Sequence, residues 1–216
     1  MKSVFISGTG TDVGKTFVSA FLLRIAEACD KKALYWKPIQ CGSATFQGKL
    51  HQSGDAEVLQ SSLLESAEVK NTIFLQEACS PHLAFELEDQ SFELNILLDE
   101  WKSIQDSDYN FVIVEGAGGL MVPISVSYFM RDLARDLKLP IALVSQPLLG
   151  TLNHSLMSIE SLHKESKLSG VLFSYDQDNQ EWLESDNKKT LLELSPRPLQ
   201  EIPSIPAWEE WKDWSN

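Results

Sequence analysis

Residues 8–16 read Gly8-Thr9-Gly10-Thr11-Asp12-Val13-Gly14-Lys15-Thr16, and this stretch decides the fold. It follows a short apolar run, Val4-Phe5-Ile6, and leads directly into residues with helical periodicity, which is the strand–loop–helix setting of a phosphate-binding loop. In such a loop the backbone N–H groups hold phosphate oxygens, Lys15 reaches the terminal phosphates, and the Thr16 hydroxyl ligates Mg²⁺. A glycine-rich turn that only connects strand to helix is the alternative, although a turn requires neither the lysine nor the hydroxyl.

The rest of the chain alternates between buried strands and amphipathic helices. Continuous apolar runs, typical of strands covered on both faces, occur at residues 33–36, 111–114, 141–144 and 170–173. Helical stripes comprise Val18, Phe21, Leu22, Ile25 and Cys29; Leu94, Leu97, Leu98, Trp101 and Ile104; and Leu152, Leu156 and Ile159. The alternation predicts a three-layer α/β fold, in which helices cover both faces of a mostly parallel central sheet. We expect one domain over residues 1–216, with a helix near residues 55–64, loops elsewhere within 38–91, and a strand with an irregular end after Ser195.

The charge of the chain excludes two classes of partner. Lys and Arg total 18 against 31 Asp and Glu, so the net charge is −13 at pH 7 and no basic face is available to bind nucleic acid. The acidic chain also disfavours an anionic membrane, and it lacks an apolar run of about 18 residues that could span a bilayer. Its three cysteines form no Cys-x-x-Cys pair, which favours reduced thiols. We therefore expect a cytoplasmic protein without nucleic-acid or membrane partners.

Two charged residues stand at the expected ends of strands. Glu115 follows the apolar run 111–114 and precedes the small residues 116–119, a position suited to a metal-binding acid. An exposed glutamate that opens a turn is its alternative. Lys37 follows the second strand, where a lysine is more often simply solvated.

Two further features have a functional and a structural interpretation. Asp55 could be a second metal-binding acid, but an isolated aspartate is more commonly a helix N-cap. The segment after the fourth strand, residues 150–154, begins a helix whose N–H groups could receive a carboxylate. Alternatively, Thr151 serves there as an ordinary cap.

Six segments, taken in order, resemble the dethiobiotin synthetase family, whose members have a P-loop NTPase-like fold. The segments are residues 8–16, Tyr35-Trp36-Lys37-Pro38-Ile39-Gln40, Gly54-Asp55-Ala56, Ser80-Pro81-His82, Val114-Glu115-Gly116-Ala117-Gly118-Gly119 and Leu149-Gly150-Thr151-Leu152-Asn153-His154. Each alone is shared with other P-loop proteins, whereas the ordered set is specific. The resemblance implies a ligase that forms C–N bonds and uses ATP as co-substrate.

The implied reaction closes a ring on 7,8-diaminononanoate with CO₂. A carbamate forms on one amine, ATP phosphorylates it, and the other amine displaces phosphate. The resemblance makes Lys37, Lys15 and Thr11 the catalytic residues. It implies that Mg²⁺ is bound by Thr16, Asp55 and Glu115. It implies diamine contacts from Cys41, Gly118, Gly150, Thr151, Leu152 and Asn153, with the substrate carboxylate bound across a homodimer interface.

The resemblance also implies a nucleotide site formed by the loop and the last strands. The implied residues are Asp12, Val13, Gly14, Lys15, Thr16, Phe17, Asp55, Glu115, Gly116, Ala117, Gly118, Ser174, Tyr175, Pro203, Ser204, Ile205 and Pro206. Three positions depart from the family pattern. Cys41 replaces a serine or threonine, Ser174 replaces an asparagine beside the base, and Gln200 stands where a glycine usually precedes Glu-Ile-Pro.

Two other functions stay open at this point. A switch or partitioning ATPase of the deviant P-loop group would share the fold, but such proteins carry an extra lysine early in the loop, where this chain has Thr9, Gly10 and Thr11. A degenerate nucleotide-binding module without turnover is the second alternative. The departures at Cys41 and Ser174 are compatible with it.

Overall fold

The computed structural model describes residues 1–42, 67–174, 180–201 and 203–205, together with the backbone of residues 45–46 and 49–50. The helix predicted near residues 55–64, and Asp55 with it, lies outside the described residues, as do Tyr175 and Pro206. None of the helices in the described ranges is long and apolar enough to cross a membrane.

The described residues form eleven strands, seven of which make one parallel sheet. The strands are β1 (Lys2–Gly8), β2 (Ala33–Gln40), β3 (Thr45–Phe46), β4 (Lys49–Leu50), β5 (Ala67–Phe74), β6 (Phe111–Gly119), β7 (Pro123–Ser125), β8 (Tyr128–Phe129), β9 (Ile141–Ser145), β10 (Leu168–Ser174) and β11 (Ser204–Ile205). The sheet order is β11-β10-β9-β1-β6-β2-β5, and β3–β4 and β7–β8 are separate hairpins. β1 therefore lies at the centre of the sheet, and the loop that follows it opens at the carboxyl edge.

Helices cover both faces of this sheet. Those in the described ranges are α1 (Lys15–Ala28), α2 (Pro81–Leu87), α3 (Leu94–Gln105), α4 (Met130–Asp136), α5 (Thr151–Glu160) and α6 (Glu181–Leu194). Successive strand residues point to opposite faces, and the core divides accordingly. Trp36 packs in the cluster that contains α3 and α4, whereas Tyr35 packs in the cluster that contains α1. The predicted three-layer α/β architecture is thus confirmed.

The two charged residues expected at strand ends lie inside strands. β2 continues through Lys37 to Gln40, and β6 continues through Glu115 to Gly119, because the backbone of Gly119 still pairs with Gly8 of β1. Lys37 is 6% exposed and Glu115 is 1% exposed. A solvated lysine and an exposed glutamate that opens a turn are therefore wrong interpretations.

The helical stripes are confirmed in α3 and α5 and only in part in α1, where Val18 is buried and Phe21 and Leu22 pack against the core. Ile25 is 41% exposed and Cys29 is exposed, although both belong to the predicted apolar stripe. α1 instead turns Ser19, Ala20 and other small or apolar residues toward the sheet. Small side chains allow close helix–sheet packing, and a pattern based on large apolar residues does not detect them.

Residues 67–87 are more regular than predicted. Where we expected loops, β5 forms the edge of the sheet and α2 follows it. The sequence of β5 mixes charged and apolar residues, because an edge strand does not need the continuous apolar run of a central one. α4 and α6 are also present without having been predicted.

Candidate active site

The phosphate-binding loop joins β1 to α1, and glycine residues determine its shape. Gly14 caps α1 with φ of +88°, a left-handed conformation that glycine adopts without strain. Gly8 allows the loop to turn back, because a Cβ there would lie 2.6 Å from the Gly10 carbonyl oxygen. The Lys15 ammonium donates to that carbonyl at 3.0 Å. The loop thus brings a buried lysine beside the positive end of α1, as phosphate binding requires.

Glu115 connects this loop to β2. Its Oε1 accepts a hydrogen bond from Thr16 Oγ1 at 3.0 Å and lies 3.6 Å from Lys37 Nζ, and its Oε2 accepts one from Ser19 Oγ at 2.8 Å. The ion pair is almost fully buried, so little water screens it. The sequence predicted Thr16, Lys37 and Glu115 at one edge of the sheet, and the structure brings their side chains into contact. It missed Ser19, since a serine within a helix gives no functional signal.

The oxygen atoms around Glu115 fit a small, hard cation. The Thr16 hydroxyl and the Glu115 carboxylate are the kind of ligands that Mg²⁺ prefers, and Mg²⁺ usually completes its shell with phosphate oxygens and water. No group of three or more His, Cys, Asp or Glu that could hold a metal occurs among the residues that the structure describes. Thr16 and Glu115 are the described residues here whose oxygens could contribute to a magnesium site.

The loop, β2 and β6 border a cavity of about 730 Å³. It is lined by eleven predicted site residues: Thr11, Asp12, Gly14, Lys15, Thr16, Phe17, Lys37, Cys41, Glu115, Ala117 and Gly118. Six further lining residues were not predicted: Gln40, Ala78, Cys79, Ser80, Pro81 and Val122. Gln40 and Ser80-Pro81 belong to segments that resemble the family, and that resemblance could have identified them as site residues.

Cys41 lies in this cavity as a protonated thiol. Burial raises its pKa from the ordinary 9.0 to about 11, the neighbouring Cys79 adds to the increase, and the Lys37 ammonium partly offsets it. A thiol with this pKa donates a weak hydrogen bond and is a poor nucleophile at neutral pH. Cys41 is thus suited to contact a ligand and not to attack one.

The start of α5 does not line the cavity of its own chain. Gly150 caps the helix with φ of +96° and Thr151 is the first helical residue, so the interpretation of Thr151 as the cap is wrong. The Thr151 hydroxyl instead contacts Ser145 Oγ at 2.7 Å, and Ser145 Oγ contacts Thr9 Oγ1 at 3.2 Å. These hydroxyl groups attach the start of α5 to the phosphate-binding loop. Leu152 and Asn153 follow in the same turn, half-buried and exposed respectively.

The end of β10 packs against the phosphate-binding loop. Ser174 is 5% exposed, and it covers Gly14 so closely that a Cβ on Gly14 would lie 2.8 Å from the Ser174 Cβ. The Pro203 carbonyl accepts from the Phe173 N–H at 2.9 Å, and β11 places Ser204 and Ile205 beside β10. These residues lie at the edge of the sheet and do not line the 730 Å³ cavity.

Two residues predicted to bind nucleotide face the core. Val13 is 9% exposed and belongs to the cluster around α1. A Cβ on Gly116 would lie 2.9 Å from a ring carbon of Phe5 and 3.0 Å from Met130 Cγ. Side chains alternate along β6, so Glu115 faces the cavity and Gly116 faces away. Val13 and Gly116 can therefore reach a nucleotide through backbone atoms alone.

A phosphate-binding loop at the centre of a parallel sheet, with a buried glutamate beside its threonine, defines a P-loop NTPase-type protein. The family described as an AAA domain has a model that matches residues 2–210. An ATP-dependent dethiobiotin synthetase BioD of Clostridium perfringens is 33% identical, with 99% of this chain and 94% of the relative covered. The protein of the same name from Lysinibacillus sphaericus is 35% identical, with 95% and 88% covered. The chain belongs to the ATP-dependent dethiobiotin synthetase family.

The fold is also similar to that of a solved ParA family ATPase from Chlorobium tepidum. The TM-score is 0.58 at 16% sequence identity, with 97% of this chain and 85% of that chain covered. At such low identity the similarity concerns the fold and not the activity.

Proposed function

We propose that this chain catalyses the ATP-dependent ring closure of 7,8-diaminononanoate with CO₂, which yields dethiobiotin, ADP and phosphate. Its relatives are named ATP-dependent dethiobiotin synthetases, which supports this reaction. The observation that carries the proposal is the convergence of Lys15, Thr16, Lys37 and Glu115 on one cavity. This arrangement supplies cations and oxygen ligands where a phosphoryl group would be transferred.

The reaction has three balanced steps. An amine of the substrate adds to CO₂ and loses a proton, which gives a carbamate. A carbamate oxygen then takes the γ-phosphoryl group of ATP, and ADP leaves. The second amine attacks the carbamoyl carbon, loses a proton and expels phosphate. Phosphoryl transfer depends mainly on positioning and charge neutralisation, and the residues of the cavity are suited to both.

The lysines and Thr11 have distinct roles in this proposal. Lys15 neutralises the terminal phosphates, and Lys37 neutralises the carbamate and the transferred group. Glu115 holds Lys37 and Thr16 in place by the contacts described above. Thr11, which lines the cavity, donates to the phosphates or the carbamate.

Mg²⁺ is part of the proposal. Thr16 and Glu115 would hold it, with Asp55 as a further carboxylate, and bound Mg²⁺ supplies neutralisation of phosphate charge. ATP would occupy the loop between Asp12 and Phe17, with its base toward Ser174 and the segment 203–206.

A homodimer is also proposed, and the position of α5 supports it. Gly150 and the next three residues do not line the cavity of their own chain, and in the proposed homodimer the start of α5 binds the carboxylate of a substrate held by the partner. Next to them, Leu148 is 50% exposed and Leu149 is 93% exposed. Exposed adjacent leucines are common in protein interfaces. A single domain and a cytoplasmic location complete the proposal.

The alternatives have less support. A ParA-like switch function rests on fold similarity at 16% identity, whereas the identity to dethiobiotin synthetases is about twice as high. A degenerate module is less consistent with the retention of Lys15, Lys37 and Glu115 in contact with one cavity.

The test measures phosphate release from MgATP with and without diaminononanoate and bicarbonate, together with mass-spectrometric detection of dethiobiotin. We expect both signals to require all three substrates. Lys15→Met should abolish them, whereas Lys102→Met, a matched change on the exposed side of α3, should leave them unchanged. Phosphate release that ignores the diamine would refute the proposed synthetase activity, and a panel of other triphosphates would define nucleotide preference.

A further inference from the structure

The side-chain oxygen of Gln40 is a hydrogen-bond acceptor that has no role in the proposed mechanism. It is the last residue of β2, lines the 730 Å³ cavity and is 4% exposed. Its Oε1 is buried and has no hydrogen-bond partner among the described residues. A buried amide oxygen without a partner has a free-energy cost, and such a group in a native site requires an explanation.

The orientation of this amide follows from its other contact. Gln40 Nε2 donates to the Cys41 carbonyl oxygen at 2.6 Å. A flipped amide would place two acceptor oxygens against each other, so the nitrogen must face Cys41 and the oxygen must be the free atom. Gln40 therefore offers an acceptor and not a donor.

The surrounding groups indicate which ligand would complete this contact. Lys37 and the protonated Cys41 thiol are donors, suited to carbamate or phosphate oxygens. Both oxygens of Glu115 already accept hydrogen bonds, from Thr16 and Ser19. Gln40 Oε1 is a buried acceptor without a partner among the described residues, and an amine N–H bound beside it would complete its hydrogen bonding.

We propose that Gln40 is a specificity-determining residue, whose Oε1 accepts a hydrogen bond from one of the two amines of the diamine substrate. This inference rests on the proposed function and deepens it. A site built to pair with an N–H rejects an analogue that lacks it, because the acceptor then stays buried and unpaired. Gln40 therefore helps to distinguish the diamine from a monoamine of the same length.

The experiment measures dissociation constants by calorimetry for diaminononanoate, 7-aminononanoate and 8-aminononanoate. In the natural protein one of the two monoamines is expected to bind about tenfold more weakly than the diamine. Gln40→Met removes the acceptor at similar volume, so it should weaken diamine binding about tenfold and reduce the preference over that monoamine to about twofold or less. The affinity for a non-hydrolysable ATP analogue should not change. Gln105→Met, at the exposed end of α3, is the matched control and should behave as the natural protein.

A purely structural role gives a different result. The melting temperature of Gln40→Met is expected to stay within about 3 °C of the natural value. The substitution removes one stabilising hydrogen bond and one destabilising unpaired acceptor, and these two effects offset each other. Equal weakening of all three ligands, or an unchanged preference for the diamine, would overturn the assignment of Gln40. The monoamine series on the natural protein needs no variant, and equal affinities there would overturn it as well.

The product assay separates the two proposals. If dethiobiotin forms but these affinities show no role for Gln40, the inference about Gln40 fails and the proposed function stands. If the natural protein neither binds the diamine nor forms dethiobiotin, both fail.

Discussion

Replacement of Glu115 by glutamine tests the buried charge pair at the centre of the site. The Glu115 carboxylate and the Lys37 ammonium lie 3.6 Å apart, with side chains that are 1% and 8% exposed. At this separation and an effective dielectric constant of about 20, their Coulomb attraction is roughly 4–5 kcal/mol. Loss of one charge from a buried pair typically costs about 3–5 kcal/mol, because the other charge stays desolvated.

Glu115→Gln should therefore reduce the free energy of unfolding by about 3 kcal/mol. We take the lower end because the amide oxygen of glutamine still accepts a hydrogen bond from Thr16 or Ser19. In a chain of this length, such a loss lowers the melting temperature by roughly 6–12 °C. Thermal and urea unfolding followed by circular dichroism would measure it.

Two further variants make this experiment decisive. Lys37→Met combined with Glu115→Gln removes both charges, so the double variant should be more stable than the sum of the two single effects predicts, by at least about 1 kcal/mol. Asp108→Asn breaks the shorter but exposed contact to Lys32, at 2.7 Å, and should leave the melting temperature unchanged because water screens that pair. Additive single effects, or a loss below about 1 kcal/mol for Glu115→Gln, would refute the reasoning.

Four other predictions concern residues of the site. Lys37→Ala should abolish ring closure, whereas the affinity for MgATP, measured by calorimetry, should change less than about threefold. Loss of nucleotide binding would instead assign Lys37 to the nucleotide site. Because burial raises the pKa of Cys41 from 9.0 to about 11, its thiolate fraction at pH 8 is about a hundredfold lower than that of an ordinary cysteine. Iodoacetamide should therefore alkylate Cys41 far more slowly than exposed Cys29. Equal alkylation rates, measured by mass spectrometry, would contradict this prediction. The same raised pKa means that the folded state retains a proton that the unfolded state loses, so stability should fall as pH rises from about 9 to 11, and Cys41→Ser should reduce that fall. Gly14→Ala should abolish nucleotide binding measured by calorimetry, since a side chain on Gly14 meets both a left-handed backbone and the Ser174 Cβ. Retained binding in Gly14→Ala would disprove the requirement for glycine.

The fold was predictable from the sequence where apolar patterns were strong. The runs that became β1, β6, β9 and β10 are buried on both faces, and only apolar residues tolerate that environment. The mixed sequence of β5 and the polar surface of α6 carry no such pattern. The position of β5 depends on its pairing with β2, and the position of α6 depends on packing in three dimensions. Neither interaction is visible in the local sequence.

The candidate site was predictable where a motif specifies the backbone. Lys15 and Thr16 follow from the loop pattern, Glu115 follows from its position after a buried strand, and the family resemblance added a role for Lys37. The burial of those last two was not predictable, because it arises from the unexpected length of β2 and β6. Gln40 and Ser19 were missed because glutamine and serine occur in every kind of environment, and their roles depend on which atoms face them.

The order of the strands has a consequence for how this enzyme can change over evolutionary time. The charged residues of the cavity, Lys15, Glu115 and Lys37, lie on or after the three adjacent strands β1, β6 and β2. The region expected to receive the base lies at the opposite edge, where β11 has only two residues paired with β10. Mutations at that edge disturb few backbone pairs and no charged group of the centre. Substitutions in β11 can therefore accumulate independently of the charged centre, whereas Ser174, packed against Gly14, is constrained by the phosphate-binding loop.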